Sequence, residues 1–137
     1  MKVAVIDGQG GGIGKALVEG IREVGKREIE LYAFGTNALA TSLMLKSGAE
    51  FGATGENAIR TNMNKMDVIL GPMGIISANA LLGEVTPVMA EAISESDAVK
   101  ILIPVNKCTI KIAGLESRPF SSYIESAVEE VISLLSS

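Results

Sequence analysis

A run of glycines lies between two ionisable residues near the start of the chain: Asp7-Gly8-Gln9-Gly10-Gly11-Gly12-Ile13-Gly14-Lys15. Glycines let the backbone come close to a ligand and turn freely, so successive N–H groups can face one oxyanion. An apolar run, Val3 to Ile6, precedes the glycines, and Ile13, Ala16, Leu17, Ile21 and Val24 recur after them at helical spacing. Strand, glycine turn and helix together aim free amides and the positive end of a helix dipole at a phosphate. Lys15 would either neutralise that phosphate or lie on the solvated side of the helix. Asp7 would either hold a ribose, a metal or an ammonium group, or cap the glycine turn through its own backbone.

Histidine is absent, which removes Ser-His-Asp and Cys-His devices, a histidine general base and histidine metal ligands. With a single cysteine, Cys108, and no carboxylate cluster of suitable spacing, no transition-metal site is expected. Lys107 beside Cys108 would lower its thiol pKa, but without a histidine partner the thiol reads as structural. One cysteine also excludes an internal disulfide and fits a reducing cytoplasm. The net charge of −4, with three Phe, two Tyr and no Trp, argues against nucleic acid and anionic membranes as partners. No signal-peptide pattern is present, and no apolar run approaches the ~20 residues needed to span a bilayer.

The elements that must position the glycine turn are legible in order. Strands are expected at Lys2–Ile6, Ile29–Phe34, Gly48–Phe51, Asp67–Leu70 and Lys100–Val105, with a sixth at Thr109–Ala113. Helices are expected from Gly12 to about Gly25, Ala38–Lys46, after a Thr54 cap to Thr61, Pro87–Glu95, and after a Ser122/Glu125 capping box to the end. The Met residues read as core filler. Ile75–Glu84 is longer than most connections and reads as a helical turn, a lid or an oligomer contact. With 47% apolar and 20% charged residues, the 137-residue chain is expected to form one domain spanning 1–137. Its class is α/β: a three-layer Rossmann-like sandwich on a mainly parallel five- or six-stranded sheet.

Ligands of open α/β sheets bind outside the carboxyl ends of the strands. The residues converging there are Gly8–Gly14, Gly35-Thr36-Asn37, Thr54-Gly55-Glu56-Asn57, Gly71–Gly74 and Asn106-Lys107-Cys108. The candidate binding set is Asp7, Gly8, Gln9, Gly10, Gly11, Gly12, Ile13, Gly14 and Lys15, with Gly35, Thr36, Asn37 and Gly71. The expected partner is a phosphate-containing small molecule, with NAD(P) or another nucleotide as cofactor. A second reading is a small enzyme acting on a phosphorylated metabolite through Asp7 or Glu56. A third is a non-catalytic homo-oligomeric module, because the apolar segments Leu39–Leu45 and Ile75–Leu82 exceed what one chain of this size easily buries.

The glycine spacing decides among known turns. A Walker A loop would need Gly where Gln9 stands and Ser or Thr where Ala16 stands. Gly-x-Gly-x-x-Gly fails at Ile13. Gly8, Gly12 and Gly14 do fit Gly-x-x-x-Gly-x-Gly, which resembles the nucleotide-binding turn of short-chain dehydrogenases over the first 25 residues. That resemblance implies roles for Gly8 in the turn, Gly12 in approach to a pyrophosphate and Gly14 in helix–strand packing. The family's Tyr-x-x-x-Lys is missing: Thr36 follows Tyr32 and Ala127 follows Tyr123 at the lysine position, so hydride transfer is not implied. Leu31–Thr36 with Gly71–Gly74 looks like the methylglyoxal-synthase-like fold, which would place a phosphorylated ligand at the same edge. As a whole, the chain resembles a family of short bacterial proteins of unknown function. The shared phrases are Ile6–Lys15, Gly35–Thr41, Gly52–Ala58 and Leu102-Ile103-Pro104. Membership implies a Rossmann-like domain and transfers no catalytic residue.

Overall fold

The structure is a computed structural model, and it describes residues 1–105 and 109–136. Five strands alternate with five helices: β1 (Lys2–Asp7), α1 (Gly12–Val24), β2 (Glu30–Gly35), α2 (Ala38–Lys46), β3 (Phe51–Thr54), α3 (Glu56–Asn62), β4 (Val68–Pro72), α4 (Pro87–Glu95), β5 (Val99–Ile103) and α5 (Phe120–Leu135). They form one sheet of order β3-β2-β1-β4-β5 in which every pairing is parallel. All strand carboxyl ends therefore share one edge.

β1 is central and apolar because it is covered on both faces. The pleat sends alternate residues to opposite layers. Val3 and Val5 pack with Leu17, Val18 and Ile21 of α1, Met44 of α2 and Val128 and Val131 of α5. Ala4 and Ile6 pack with Ile59 of α3 and Met89 and Ile93 of α4. The result is the expected three-layer α/β sandwich. Methionines 44, 63, 66 and 89 are buried filler, as their unbranched chains suit.

Caps fix the helix starts that bear on the site. Asn37 Oδ1 accepts from Ala40 N at 2.8 Å, and Thr86 Oγ1 accepts from Met89 N at 3.1 Å, followed by Pro87 at the first helical position. Several expectations are corrected. β3 starts at Phe51 and not Gly48, because Gly48, at φ 125°, still belongs to the turn leaving α2. Thr54 does not cap α3; Gly55 stands in that place and gives no side-chain bond. The Ser122/Glu125 pair is not a capping box. α5 begins earlier, after Pro119, and Ser122 N already bonds to Pro119 O at 3.0 Å inside the first turn. Thr109–Ala113 forms no strand, so the sheet has five strands among the described residues. That segment is largely exposed and ends in a turn in which Leu115 N bonds to Ile112 O, so pairing it would bury little. No helix among the described residues is long and apolar enough to cross a membrane.

The connection after β4 is a 3₁₀ turn, Met73–Ile76, followed by a chain of tight turns. Asn79, Leu81 and Leu82 have φ of 65°, 56° and 56°, a region that side chains with a Cβ enter rarely and at a cost. Leu81 is buried, whereas Leu82 is 98% exposed.

Candidate functional site

The glycine loop is built around Asp7. This last residue of β1 is only 4% exposed. Its Oδ1 accepts from Gly8 N at 2.8 Å and its Oδ2 from Gly14 N at 2.6 Å. Both carboxylate oxygens therefore serve the loop's own backbone, as the turn role requires. Burial pushes the Asp7 carboxyl above its ordinary 3.8, the loop amides pull it back in part, and the negative charge of Glu84 adds to the rise. Gly11 N closes the turn onto Gly8 O at 2.9 Å. Gly11 then starts α1 from the left-handed region at φ 77°, with its Cα face against Ala40. Gly14 lies where a Cβ would stand 2.5 Å from Met44 Sδ, so here glycine permits close packing of α1.

Gly10 and Gly12 differ from these. Both are exposed, neither has a positive φ, and a Cβ at either would meet nothing within 4 Å. Their N–H groups have no partner among the described residues. Gly12 is the first residue of α1, where the dipole favours an anion. Residues 7–13 line an open cavity of about 330 Å³, together with Leu81 and Phe120. That volume lies at the small end of ligand pockets and suits a phosphate or pyrophosphate with part of its substituent.

Lys15 does not line that cavity. Its Nζ lies 3.8 Å from Glu19 Oε1, and it faces a groove of about 830 Å³ between α1 and α5. The groove also presents Glu19, Glu23, Glu125 and Glu129, so its charge is wrong for an anion. Ile13 is half-buried and packs toward the core.

Sequence reasoning missed Glu84. Its Oε1 accepts from Gln9 N at 2.8 Å, Thr36 Oγ1 at 2.7 Å and Asn37 Nδ2 at 2.8 Å. Asn37 Nδ2 also reaches Gln9 O at 3.0 Å. The carboxylate thus ties the β1 loop to the β2 end. The Gln9 amide first, and then the Thr36 and Asn37 side chains, hold its pKa below 4.5. The only local signal was a charged residue in a small, apolar connection just before the Thr86-Pro87 helix start.

The structure brings together Asp7, Gly8–Gly14, Thr36, Asn37 and Glu84. Gly35 and Gly71 serve as close-approach points beneath them: a Cβ at Gly71 would stand 2.5 Å from Ile6 O. Glu56 is exposed in the first turn of α3 and lines neither cavity. Asn57 Oδ1 accepts from Arg60 Nη2 on the same helix. Asn106, Lys107 and Cys108 lie outside the described residues. Among those described, no group of three Cys, Asp or Glu side chains is placed to hold a metal.

The model of a family described as a domain of unknown function (DUF3842) matches residues 2–136. No curated protein matches the chain. Among solved structures, a dodecameric FMN-dependent Ubix-like decarboxylase from Escherichia coli O157:H7 is similar over 100% of this chain and 96% of its own, at 14% identity and a TM-score of 0.44.

Proposed function

The chain belongs to the family described as a domain of unknown function (DUF3842), and from that premise we propose that its Gly8–Gly14 loop receives the phosphate of a nucleotide or dinucleotide of the NAD(P) type. One observation carries this reading. Gly10 and Gly12 lack any conformational or packing need for glycine, yet both line a cavity at a helix N-terminus and have amides without a partner among the described residues. An approaching phosphate supplies the missing reason, since a Cβ at either position would stand in its way. Asp7 organises the loop, and Thr36, Asn37 and Gly71 border it.

Isothermal calorimetry with NAD, NADP, ADP and ATP tests the reading. At least one is expected to bind the folded protein. Gly12→Ala should weaken binding about ten- to a hundredfold, the worth of roughly one hydrogen bond to a charged group. The same change should leave stability unchanged or raise it by up to ~1 kcal/mol, because alanine suits a helix better than glycine. Its effect on binding is thereby separated from any effect on folding. No binding by any of the four nucleotides would refute the proposal.

Self-association is a second reading with its own support. Leu39 and Leu45 on α2 are 67% and 40% exposed, and Phe51 on the edge strand β3 is 48% exposed. An open strand edge beside exposed leucines suits a second copy of this chain. Light scattering at micromolar concentration should give a multiple of 14.3 kDa; a mass of one chain would remove this reading.

A further inference from the structure

We propose that the groove between α1 and α5 is a docking site for a basic amphipathic helix of a partner protein, with lysine or arginine along both flanks of an apolar face. The inference goes beyond the nucleotide reading, because groove and phosphate cavity share only Gly12 and Phe120.

The shape of the groove comes from the i, i+4 rows of two packed helices. Ala16, Gly20 and Val24 of α1 form its floor together with Phe120, Ile124 and Val128 of α5. The helices meet closely at Gly20, where a Cβ would stand 2.9 Å from Val128 Cγ2. Phe120, where groove and cavity join, is 42% exposed. The 13 residues of α1 extend about 20 Å, so the valley can take roughly three turns of a third helix. An apolar helix face laid between two helices is a common recognition mode.

Charge names the occupant. Glu19 and Glu23 line the groove on α1, Glu125 and Glu129 line it on α5, and all four are exposed. Lys15 is the one cation in the lining among the described residues, and it lies 3.8 Å from Glu19 Oε1. Glu23, Glu125 and Glu129 form no ion pair among those residues. Carboxylates on both walls repel a phosphate or an anionic lipid surface, and they match an apolar ridge carrying cations on each side. A second copy of this chain does not supply that ridge. No described helix has more than two basic residues, and groove against groove would set like charges together.

Calorimetry with two synthetic helices of about 18 residues is the test, a length that supports helical structure alone. Both carry the same face of leucine and alanine; one has lysine on its flanks and the other glutamate. The lysine peptide should bind at micromolar concentration, at least about tenfold more tightly than the glutamate peptide. Glu23→Lys with Glu125→Lys changes exposed side chains on opposite walls and should reverse that preference. Ala16→Phe fills the floor and should abolish binding of the lysine peptide. Glu91→Lys with Glu95→Lys makes the same change of net charge on α4, across the sheet, and should leave binding as it was. An equal loss in this last variant would show unspecific attraction and overturn the site. Equal affinity for the two peptides, or no binding of the lysine peptide at ~0.1 mM, would do the same. A mass above one chain that Ala16→Phe returns to 14.3 kDa would put a second copy in the groove instead, and would also overturn the proposal.

Discussion

Asp7→Ala is expected to lower folding stability by about 3–5 kcal/mol, because two buried amides lose their acceptors at once. Gly8 N and Gly14 N are both buried, and no other acceptor among the described residues bonds to either of them. A loss of that size is a large part of the ~5–15 kcal/mol that holds a typical domain together. Urea denaturation with matched slopes would measure it. A loss under about 1 kcal/mol would show that water or a relaxed loop satisfies the amides. Asp7→Asn should cost less, since its carbonyl keeps one amide while its NH₂ confronts the other.

The pH dependence of the same residue has a defined sign. Its native pKa is raised above 3.8, chiefly by burial. The native state then holds the proton to higher pH than the unfolded chain does. Asp7's contribution is fullest below 3.8 and declines as pH rises through the native value. The wild-type advantage over Asp7→Asn should therefore narrow from acid toward neutral pH. Glu84 and Glu50, whose pKa values are lowered, act with the opposite sign below about 4.5. Both are too exposed to dominate.

Gly35→Ala should be the most disruptive single methyl in the chain. Its Cβ would stand 2.6 Å from Asn37 O and 2.6 Å from Thr41 N, and would also collide with Thr41 Oγ1. Two of these neighbours are backbone, so the first turn of α2 must lift off the sheet. The expected loss is about 3 kcal/mol, near the upper range for overpacking. That corresponds to a fall in Tm of roughly 10 °C for a chain of this size. Asn37 would move with the turn and pull away from Glu84 and Gln9, so nucleotide binding should weaken at temperatures where the variant is still folded. A Tm within a degree or two of wild type would contradict the close approach.

Much of the architecture was legible because its signals are local. Strand periodicity and apolar runs gave the sheet, Thr86 marked one helix start to the residue, and Thr36 or Asn37 marked another, where Asn37 is the cap. The glycine loop announced itself by composition, and Asp7 at its head suggested the turn role that the structure bears out. What failed were local patterns overruled by their surroundings. Ser122 and Glu125 match a capping box, but Pro119 starts the helix earlier. Thr109–Ala113 alternates like a strand but has no layer to bury against. Glu84 was illegible for a different reason: its partners lie 47 to 75 residues away in sequence. Only the crossing of the β4–α4 connection over the top of β1 brings them together.

The central place of β1 has a consequence for biosynthesis. The strand leaves the ribosome before both of its neighbours, and one of them, β4, ends at Pro72. At about 5–20 residues per second, roughly 3 to 13 s separate the completion of the two strands. During that interval Val3, Ala4, Val5 and Ile6, all wholly inaccessible in the finished fold, lie along an unpaired edge. Slower translation lengthens that exposure, and with it the time in which the apolar edge can pair wrongly.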